Sequence, residues 1–189
     1  MVPASPRNAL FSVYSLLLLL ATLLLASAQA PNVTQVLTEA GNFTTFLQLA
    51  GAANVSQALQ GFINSTNTTG ATAFIPVDSA FNRSIVDAYT NLSSVNQSLV
   101  LYYHVVPKFY NATDVLNISD VSTLATLISN SSSSAAFRID AVNRSSSTGV
   151  ITVYGNLNSA NVRTSNITTF PLAVYPIDDV LLPKEIFLA

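Results

Sequence analysis

His104 is the first residue to consider for acid–base chemistry in this 189-residue chain, because it is the single histidine. A nucleophilic active site needs a base that is itself oriented by a third group, as in a Ser-His-Asp arrangement. Serine and aspartate are abundant, so the presence of possible catalytic partners for His104 is weak evidence for such a site. The chain also has no Gly-x-Ser-x-Gly motif, which forms a nucleophile elbow. The alternative interpretation is structural: His104 ends a helix and hydrogen-bonds to backbone at a buried corner. We expect no enzymatic activity.

The carboxylates with notable spacing are Asp78 and the adjacent pair Asp178-Asp179. Calcium takes roughly six to eight oxygen ligands, and no acid-rich loop supplies the others. We therefore predict that one aspartate of the pair caps the closing turn at 180–182. Asp78 has the spacing of an N-cap for a helix that starts at Ser79. The chain has no cysteine, so we expect no disulfide, no metal site and no cofactor.

Asparagine-x-Ser/Thr sequons are the most frequent motif of the chain. Chance would give about three or four of them, and none of those present has proline in the middle position. A glycan is bulky and hydrated and must lie on the surface, so we predict a secreted glycoprotein. The thirteen predicted N-glycosylation sites are Asn32, Asn42, Asn54, Asn64, Asn67, Asn82, Asn91, Asn96, Asn111, Asn117, Asn130, Asn143 and Asn166. The widest interval free of sequons runs from 143 to 166, and any protein face for partners is expected there or in the closing stretch.

The first residues have the order of a secretory signal peptide. Arg7 precedes an apolar stretch that is densest at 16–25, and Ala26-Ser27-Ala28 suits cleavage before Gln29. We therefore predict a signal peptide at 1–28, a domain at 31–183 and a short tail at 184–189. We expect no transmembrane span in the mature chain and no encoded signal for a glycolipid anchor.

Charge is sparse, with seven basic and nine acidic residues and a net charge of −2. No basic cluster is present, which disfavours nucleic acid as a partner. The aromatic residues Tyr102, Tyr103, Phe109 and Tyr110 crowd one region. They are predicted to fill a core and its rim, or alternatively to stack on sugars or anchor a partner.

The apolar periodicity changes along the chain. Spacing of three and four residues at 33–60 and 95–104 predicts helices, with Gly41 as a stop and Asn42 as the next N-cap. A further turn near 113–116 would have Thr113 as its cap. Alternation at 124–128, 136–142, 150–154, 160–164 and 172–177 predicts strands. Early helices and late strands predict one α+β domain.

The order of these segments resembles a fasciclin domain. Residues 72–81 look like the family's first motif, a strand, a proline turn and an Ala-Phe pair. Residues 103–107, Tyr-His-Val-Val-Pro, look like its central Tyr-His segment, and 173–183 look like its second motif. Residues 32–34 and 41–46 are similar to the opening of plant fasciclin-like arabinogalactan proteins.

This resemblance implies a wedge-shaped β-sandwich with the helices of the N-terminal half packed on it. It also implies a secreted, non-enzymatic module for cell adhesion and for organising the extracellular matrix or cell wall. The partner would be a matrix or cell-wall polysaccharide or a surface glycoprotein. The Tyr-His segment, Tyr103 and His104, is then a candidate adhesion motif. The alternative function is an extracellular domain that binds carbohydrate or a small ligand.

Overall fold

The computed structural model describes residues 14–15, 30–65, 69–116, 124–125, 138–139, 141–163 and 166–188. The chain divides into two units, Met1–Ala30 and Pro31–Ala189, and the fold below is that of the second. Nearly all of the predicted signal peptide lies outside the described residues. In the part of the chain that the structure describes, no helix combines the length and apolar character needed to cross a membrane.

Three short helices open the fold: α1 (Val33–Ala40), α2 (Thr44–Ala52) and α3 (Val55–Asn64). The Asn32 Oδ1 accepts the Gln35 backbone N–H at 3.0 Å and so caps α1. Gly41 ends α1 in the left-handed region, with φ of 86°, as the sequence predicts for a helix stop. Each helix buries one apolar face, and this accounts for the apolar residues that recur every three or four positions in its sequence.

The helix predicted to start at Ser79 is replaced by two elements. A 3-10 turn covers Asp78–Ala80, and α4 (Arg83–Thr90) follows, capped by the Asn82 side chain. The predicted helix at 95–104 is confirmed as α5 (Ser94–Tyr103), with His104 as its C-cap. Two shorter helices also lie among the described residues of this unit, α6 (Ala112–Leu116) and α7 (Lys184–Phe187).

The central sheet has the order β2-β1-β9-β8 and consists of β1 (Ala71–Pro76), β2 (Val105–Val106), β8 (Ile167–Thr169) and β9 (Leu172–Ile177). Strand β1 runs parallel to β9 over six residue pairs, and all residues of both strands are buried. Burial on both faces explains why 172–177 is a continuous apolar run, not the alternating pattern described from the sequence, and why 71–76 is apolar except for Thr72. All three family motifs therefore contribute strands to one sheet.

The remaining strands are antiparallel. Strands β5 (Ala141–Arg144), β6 (Ile151–Tyr154) and β7 (Ser159–Asn161) form a meander, and β3 (Leu124–Ala125) pairs with β4 (Arg138–Ile139). A tight turn at Thr148-Gly149 joins β5 to β6, with Gly149 at φ of 72°. Parts of the predicted strands at 124–128, 136–142 and 160–164 lie outside the described residues. The α+β class is confirmed.

One buried cluster unites the central sheet, the meander and α5. It includes Phe74 and Tyr175 from the sheet, Val153 from the meander and Tyr103 from α5, all at most 2% exposed. Because the cluster draws on both halves of the chain, α5, the central sheet and the meander share one core.

Candidate functional site

His104 lies in the interior, where the end of α5 meets the closing stretch of the chain. Its Nδ1 lies 2.8 Å from the Val100 carbonyl oxygen, and the Leu181 backbone N–H donates to its Nε2 at 3.0 Å. The residue is 1% exposed. A carbonyl on one side and an N–H on the other require the neutral tautomer with its proton on Nδ1. This geometry confirms the structural interpretation of His104.

The charge state of His104 follows from its burial. Complete removal from water lowers its pKa to about 4, and the hydrogen bond to the Val100 carbonyl acts in the opposite direction. A histidine at a helix C-terminus is expected to be favoured in its charged form by the macrodipole, and here that expectation is wrong because desolvation outweighs the dipole. The Nε2 lone pair is already engaged, so the geometry does not favour a general base.

Tyr103 is fully buried, and its hydroxyl is held by Asn156. The hydroxyl donates to the Asn156 Oδ1, and the Asn156 backbone N–H donates back to the hydroxyl oxygen at 3.1 Å. The ring contacts the His104 ring edge-on, at a centroid distance of 6.3 Å and an angle of 84°. Tyr103 and His104 thus form one junction between α5, the turn after β6 and the closing stretch.

Asn158 completes this junction from the same turn. Its Nδ2 donates to the Val180 carbonyl at 2.8 Å, and its Oδ1 accepts the Leu182 N–H at 2.9 Å. We call residues 154–158, the end of β6 and the turn to β7, the hairpin tip. The hairpin tip is therefore fixed at two points, one on α5 and one on the closing stretch.

These positions bear on the candidate adhesion motif. Tyr103 is 0% exposed and His104 is 1% exposed. Side chains that are this deeply buried offer no surface to a partner. A role of Tyr103 and His104 in adhesion therefore stays a prediction, and in this fold it would act through the position of the hairpin tip.

Asp78 caps a helix other than the one that the sequence suggests. Its Oδ1 accepts the Thr45 backbone N–H and its Oδ2 accepts the Thr44 hydroxyl, both at 2.8 Å, so it closes the start of α2. Partial burial acts to raise the Asp78 pKa, but these hydrogen bonds outweigh it and hold the pKa below its usual range. The prediction that Asn42 caps α2 is also wrong, because Phe43 occupies the N-cap position and makes no side-chain bond.

The pair Asp178-Asp179 is engaged within the fold. The Asp179 Oδ1 accepts the N–H of the next residue, Val180, at 2.8 Å, but residues 180–182 form no turn or helix, so the predicted closing turn with an aspartate cap is wrong. Asp178 instead binds Asn161, accepting its backbone N–H at 2.6 Å and its side-chain amide at 3.1 Å. The described residues include no group of three or more histidine, cysteine or acidic side chains that could hold a metal ion.

The crowded aromatic residues mostly fill the core and its rim. Phe109 and Tyr110 are partly buried against the main cluster. Phe170, which the sequence analysis did not single out, is 64% exposed, and its ring packs edge-on against Phe109 at 5.5 Å. The Lys108 Nζ lies 4.8 Å from the centre of the Tyr110 ring. We call Lys108, Phe109, Tyr110 and Phe170 the aromatic patch.

A groove of about 730 Å³ is the other surface feature of note. It lies where the α1–α2 connection approaches β8 and β9, and its size is typical of small-molecule sites. The Arg163 Nη2 approaches the Ser79 hydroxyl at 3.5 Å beside it. The residues that line the groove are Ala40, Asn42, Phe43, Val77, Asp78, Ser79, Arg163, Asn166, Ile167 and Pro176.

Comparison with known protein families matches residues 41–183 to the fasciclin domain. The chain belongs to the fasciclin family. The matched span contains all three motifs and the whole junction around His104. Domains of this family are generally non-enzymatic and of the adhesion type.

Curated relatives and solved structures agree with this assignment. The chain is 32% identical to fasciclin-like arabinogalactan protein 6 of Arabidopsis thaliana, covering 82% of this chain and 61% of that protein. It is 28% identical to fasciclin-like arabinogalactan protein 12 of the same plant, covering 86% and 64%. The chain thus spans less than two thirds of either relative. A FAS1 domain pair from the insect cell adhesion molecule fasciclin I shares the fold, with a TM-score of 0.58, 23% identity, and coverage of 76% of this chain and 46% of that one.

Most sequon asparagines of this fasciclin domain lie at the surface. Asn96 is half-buried; Asn67, Asn117 and Asn130 lie outside the described residues, and only the backbone of Asn143 is described. The exposed ones are Asn32, Asn42, Asn54, Asn64, Asn82, Asn91, Asn111 and Asn166. This distribution is compatible with N-glycosylation at the exposed positions.

Proposed function

We propose that this fasciclin domain is a secreted, N-glycosylated module that acts in cell adhesion and in organising the extracellular matrix or cell wall, without enzymatic activity. Its partner is a matrix or cell-wall polysaccharide or a surface glycoprotein. Two kinds of relative support this proposal: the plant relatives are arabinogalactan proteins, and the insect structure is a cell adhesion molecule. The surface position of the sequon asparagines supports glycosylation.

The observation that carries the proposal is the exposed apolar surface at the hairpin tip. Tyr154 is 41% exposed and Leu157 is 38% exposed, and both lie in the widest interval without a sequon, from 143 to 166. Aromatic side chains exposed in a segment without an N-glycosylation site are suited to anchoring a partner. By contrast the exposed Val95 lies between the sequons at Asn91 and Asn96, where glycans would cover it.

The buried Tyr103–His104 pair has a defined place in this proposal. Tyr103 and Asn158 hold the hairpin tip rigidly, so the apolar side chains at the tip are pre-organised before a partner arrives. Pre-organisation lowers the ordering cost of binding and so raises the affinity. The family's Tyr-His segment then contributes to adhesion by positioning the hairpin tip.

A binding experiment tests the adhesive surface. Secreted, glycosylated protein is titrated against isolated cell-wall and matrix fractions, as wild type, as the double variant Tyr154→Ser/Leu157→Ser and as the control Val95→Ser. We expect the double variant to bind about tenfold more weakly, because the two side chains contribute roughly 1–2 kcal/mol, and the control to bind like wild type. Equal binding by the double variant would refute a role for the hairpin tip, and a wild type that binds no fraction would refute the proposed function.

Glycosylation is tested separately by intact-glycopeptide mass spectrometry of the protein secreted by a plant or insect cell. We expect sugar at most of the eight exposed asparagines. Repeating the titration after enzymatic removal of N-glycans then separates binding through protein from binding through sugar. Secretion without any occupied sequon would contradict the glycoprotein half of the proposal and leave the adhesive half standing.

The groove favours a second candidate function, which is binding of a carbohydrate or small ligand. It combines a guanidinium from Arg163 and a hydroxyl from Ser79 with the apolar surfaces of Ile167 and Pro176. Polar groups that fix orientation beside apolar surface are typical of sugar sites. Titration with neutral and acidic oligosaccharides, followed by nuclear magnetic resonance, tests this candidate. Shifts that disappear in Arg163→Ala would support it, and an absence of shifts in the wild type would exclude it.

A further inference from the structure

The aromatic patch leaves one large apolar side chain unexplained. Phe170 is 64% exposed, in the turn between β8 and β9, and it packs edge-on against Phe109, which is partly buried against the main cluster. Leaving an aromatic ring in water costs free energy that burial would recover. Covering the Phe170 ring with a neighbouring group is therefore favourable in free energy, provided that the group lies within reach and has an apolar face.

The sequon at Asn111 provides such a group within two residues. Phe109, Tyr110 and Asn111 are consecutive, so the Cα atoms of Phe109 and Asn111 lie within roughly 7 Å of each other. Asn111 is exposed, and so is Thr113, the residue that completes the sequon. A sugar on Asn111 is thus attached beside the patch, and covalent attachment gives it a high effective concentration there.

The Asn111 side chain is already oriented. Its Oδ1 accepts the Asp114 backbone N–H at 2.9 Å, and its own backbone N–H donates to the Asp114 Oδ2 at 3.4 Å. This reciprocal pairing has the form of a capping box, and it corrects the prediction that Thr113 caps α6. Because the cap uses Oδ1 and a sugar is attached to Nδ2, capping and glycosylation are compatible and the cap fixes the direction of the glycosidic bond.

We propose that the first sugar of an N-glycan on Asn111 packs its apolar face against Phe109 and Phe170 and so completes the surface of the fold. The C–H groups of one pyranose face bury the exposed ring, while its hydroxyl groups stay in water. The inference rests on the proposed N-glycosylation and goes beyond it, because it gives one glycan a structural role.

A double-mutant cycle tests this packing in the secreted glycoprotein. Thr113→Ala removes the glycan and leaves Asn111 in place, and Phe170→Ser removes the ring. Urea unfolding is measured for wild type, both single variants and the double variant. We expect Thr113→Ala to raise the unfolding equilibrium constant about fivefold when Phe170 is present, the range seen for aromatic contacts, and to have no effect when Phe170 is serine.

The matched control is Thr34→Ala, which removes the sequon at Asn32, on the opening helix, and leaves its cap intact. It is expected to show no coupling to Phe170→Ser. A second measurement is the rate at which a glycosidase releases the Asn111 glycan from the native protein, which is expected to rise in Phe170→Ser. Independent effects in the cycle, or an unchanged release rate, would overturn the inference. If Asn111 carries no glycan while other sequons do, this inference is overturned and the proposed N-glycosylation stands. If no sequon carries a glycan, the proposed N-glycosylation is overturned as well.

Discussion

Acidification is predicted to destabilise this fasciclin domain through its single histidine. His104 is buried and neutral, with its proton on Nδ1 and its Nε2 accepting the Leu181 N–H. A second proton on Nε2 would break that hydrogen bond and place a charge in an apolar interior. In the unfolded chain the same side chain meets water and has its ordinary pKa of about 6.5.

The size of the effect follows from the difference between the two states. The pKa of His104 is lowered to about 4 in the folded protein, so the unfolded chain takes up a proton first as the pH falls. The contribution of His104 to stability is complete above about pH 6.5 and is lost progressively down to about pH 4. Between pH 7.5 and pH 5.0 this one group lowers the free energy of unfolding by about 2 kcal/mol.

Urea unfolding at pH 7.5 and pH 5.0, followed by circular dichroism, measures this loss. The comparison variant is His104→Gln, which keeps an oxygen acceptor for the Leu181 N–H but does not titrate. The variant is expected to be less stable than wild type at pH 7.5, because glutamine fits the site imperfectly. Its decrease in stability between the two pH values is expected to be about 2 kcal/mol smaller than that of the wild type.

The difference between the two proteins isolates His104, because the carboxylates titrate alike in both. An equal pH dependence in wild type and His104→Gln would refute the reasoning. It would mean that the folded protein accepts the proton without cost, and that the buried, doubly hydrogen-bonded geometry does not control the charge. A nuclear magnetic resonance titration of the His104 ring gives the folded pKa directly and checks the same point.

Three further predictions concern caps and the hairpin tip. Asp78→Ala removes the acceptor at the start of α2 and is expected to lower the free energy of unfolding by about 1 kcal/mol in urea titrations, whereas the exposed control Asp87→Ala changes it by less than about 0.5 kcal/mol. Tyr103→Phe removes the hydroxyl that anchors the hairpin tip and is expected to cost about 1–2 kcal/mol and to weaken binding to matrix fractions; unchanged stability would contradict the anchoring role. Asn32→Ala removes both a cap and a sequon, so it is expected to be about 1 kcal/mol less stable than Thr34→Ala, which removes the sequon alone; equal stabilities would show that the cap contributes nothing.

Local features of this fold are predictable from sequence because their causes are local. Gly41 ends α1 through its own left-handed backbone, and the apolar spacing in 94–103 is the local signal that predicts α5. Asp78 shows the opposite case, because it caps a helix 33 residues earlier in the chain, and its spacing before Ser79 pointed to the wrong partner. Phe170 was not singled out for the same reason. Its ring contacts Phe109, which is distant in the sequence and is brought by the fold to a centroid distance of 5.5 Å.

The candidate adhesion motif illustrates how a family signature relates to function. Tyr103, His104 and Leu181 belong to the stretches that resemble the family, and all three are at most 1% exposed where the termini of several elements meet. Hydrogen bonds that close a buried junction constrain residue identity strongly, because an unpaired polar group there would cost about 1–3 kcal/mol. Such buried residues define the fold, and so they identify the family, without offering surface to a partner. If the proposed adhesive role holds, discrimination between partners is expected from exposed side chains such as Tyr154 and Leu157 and from nearby glycans.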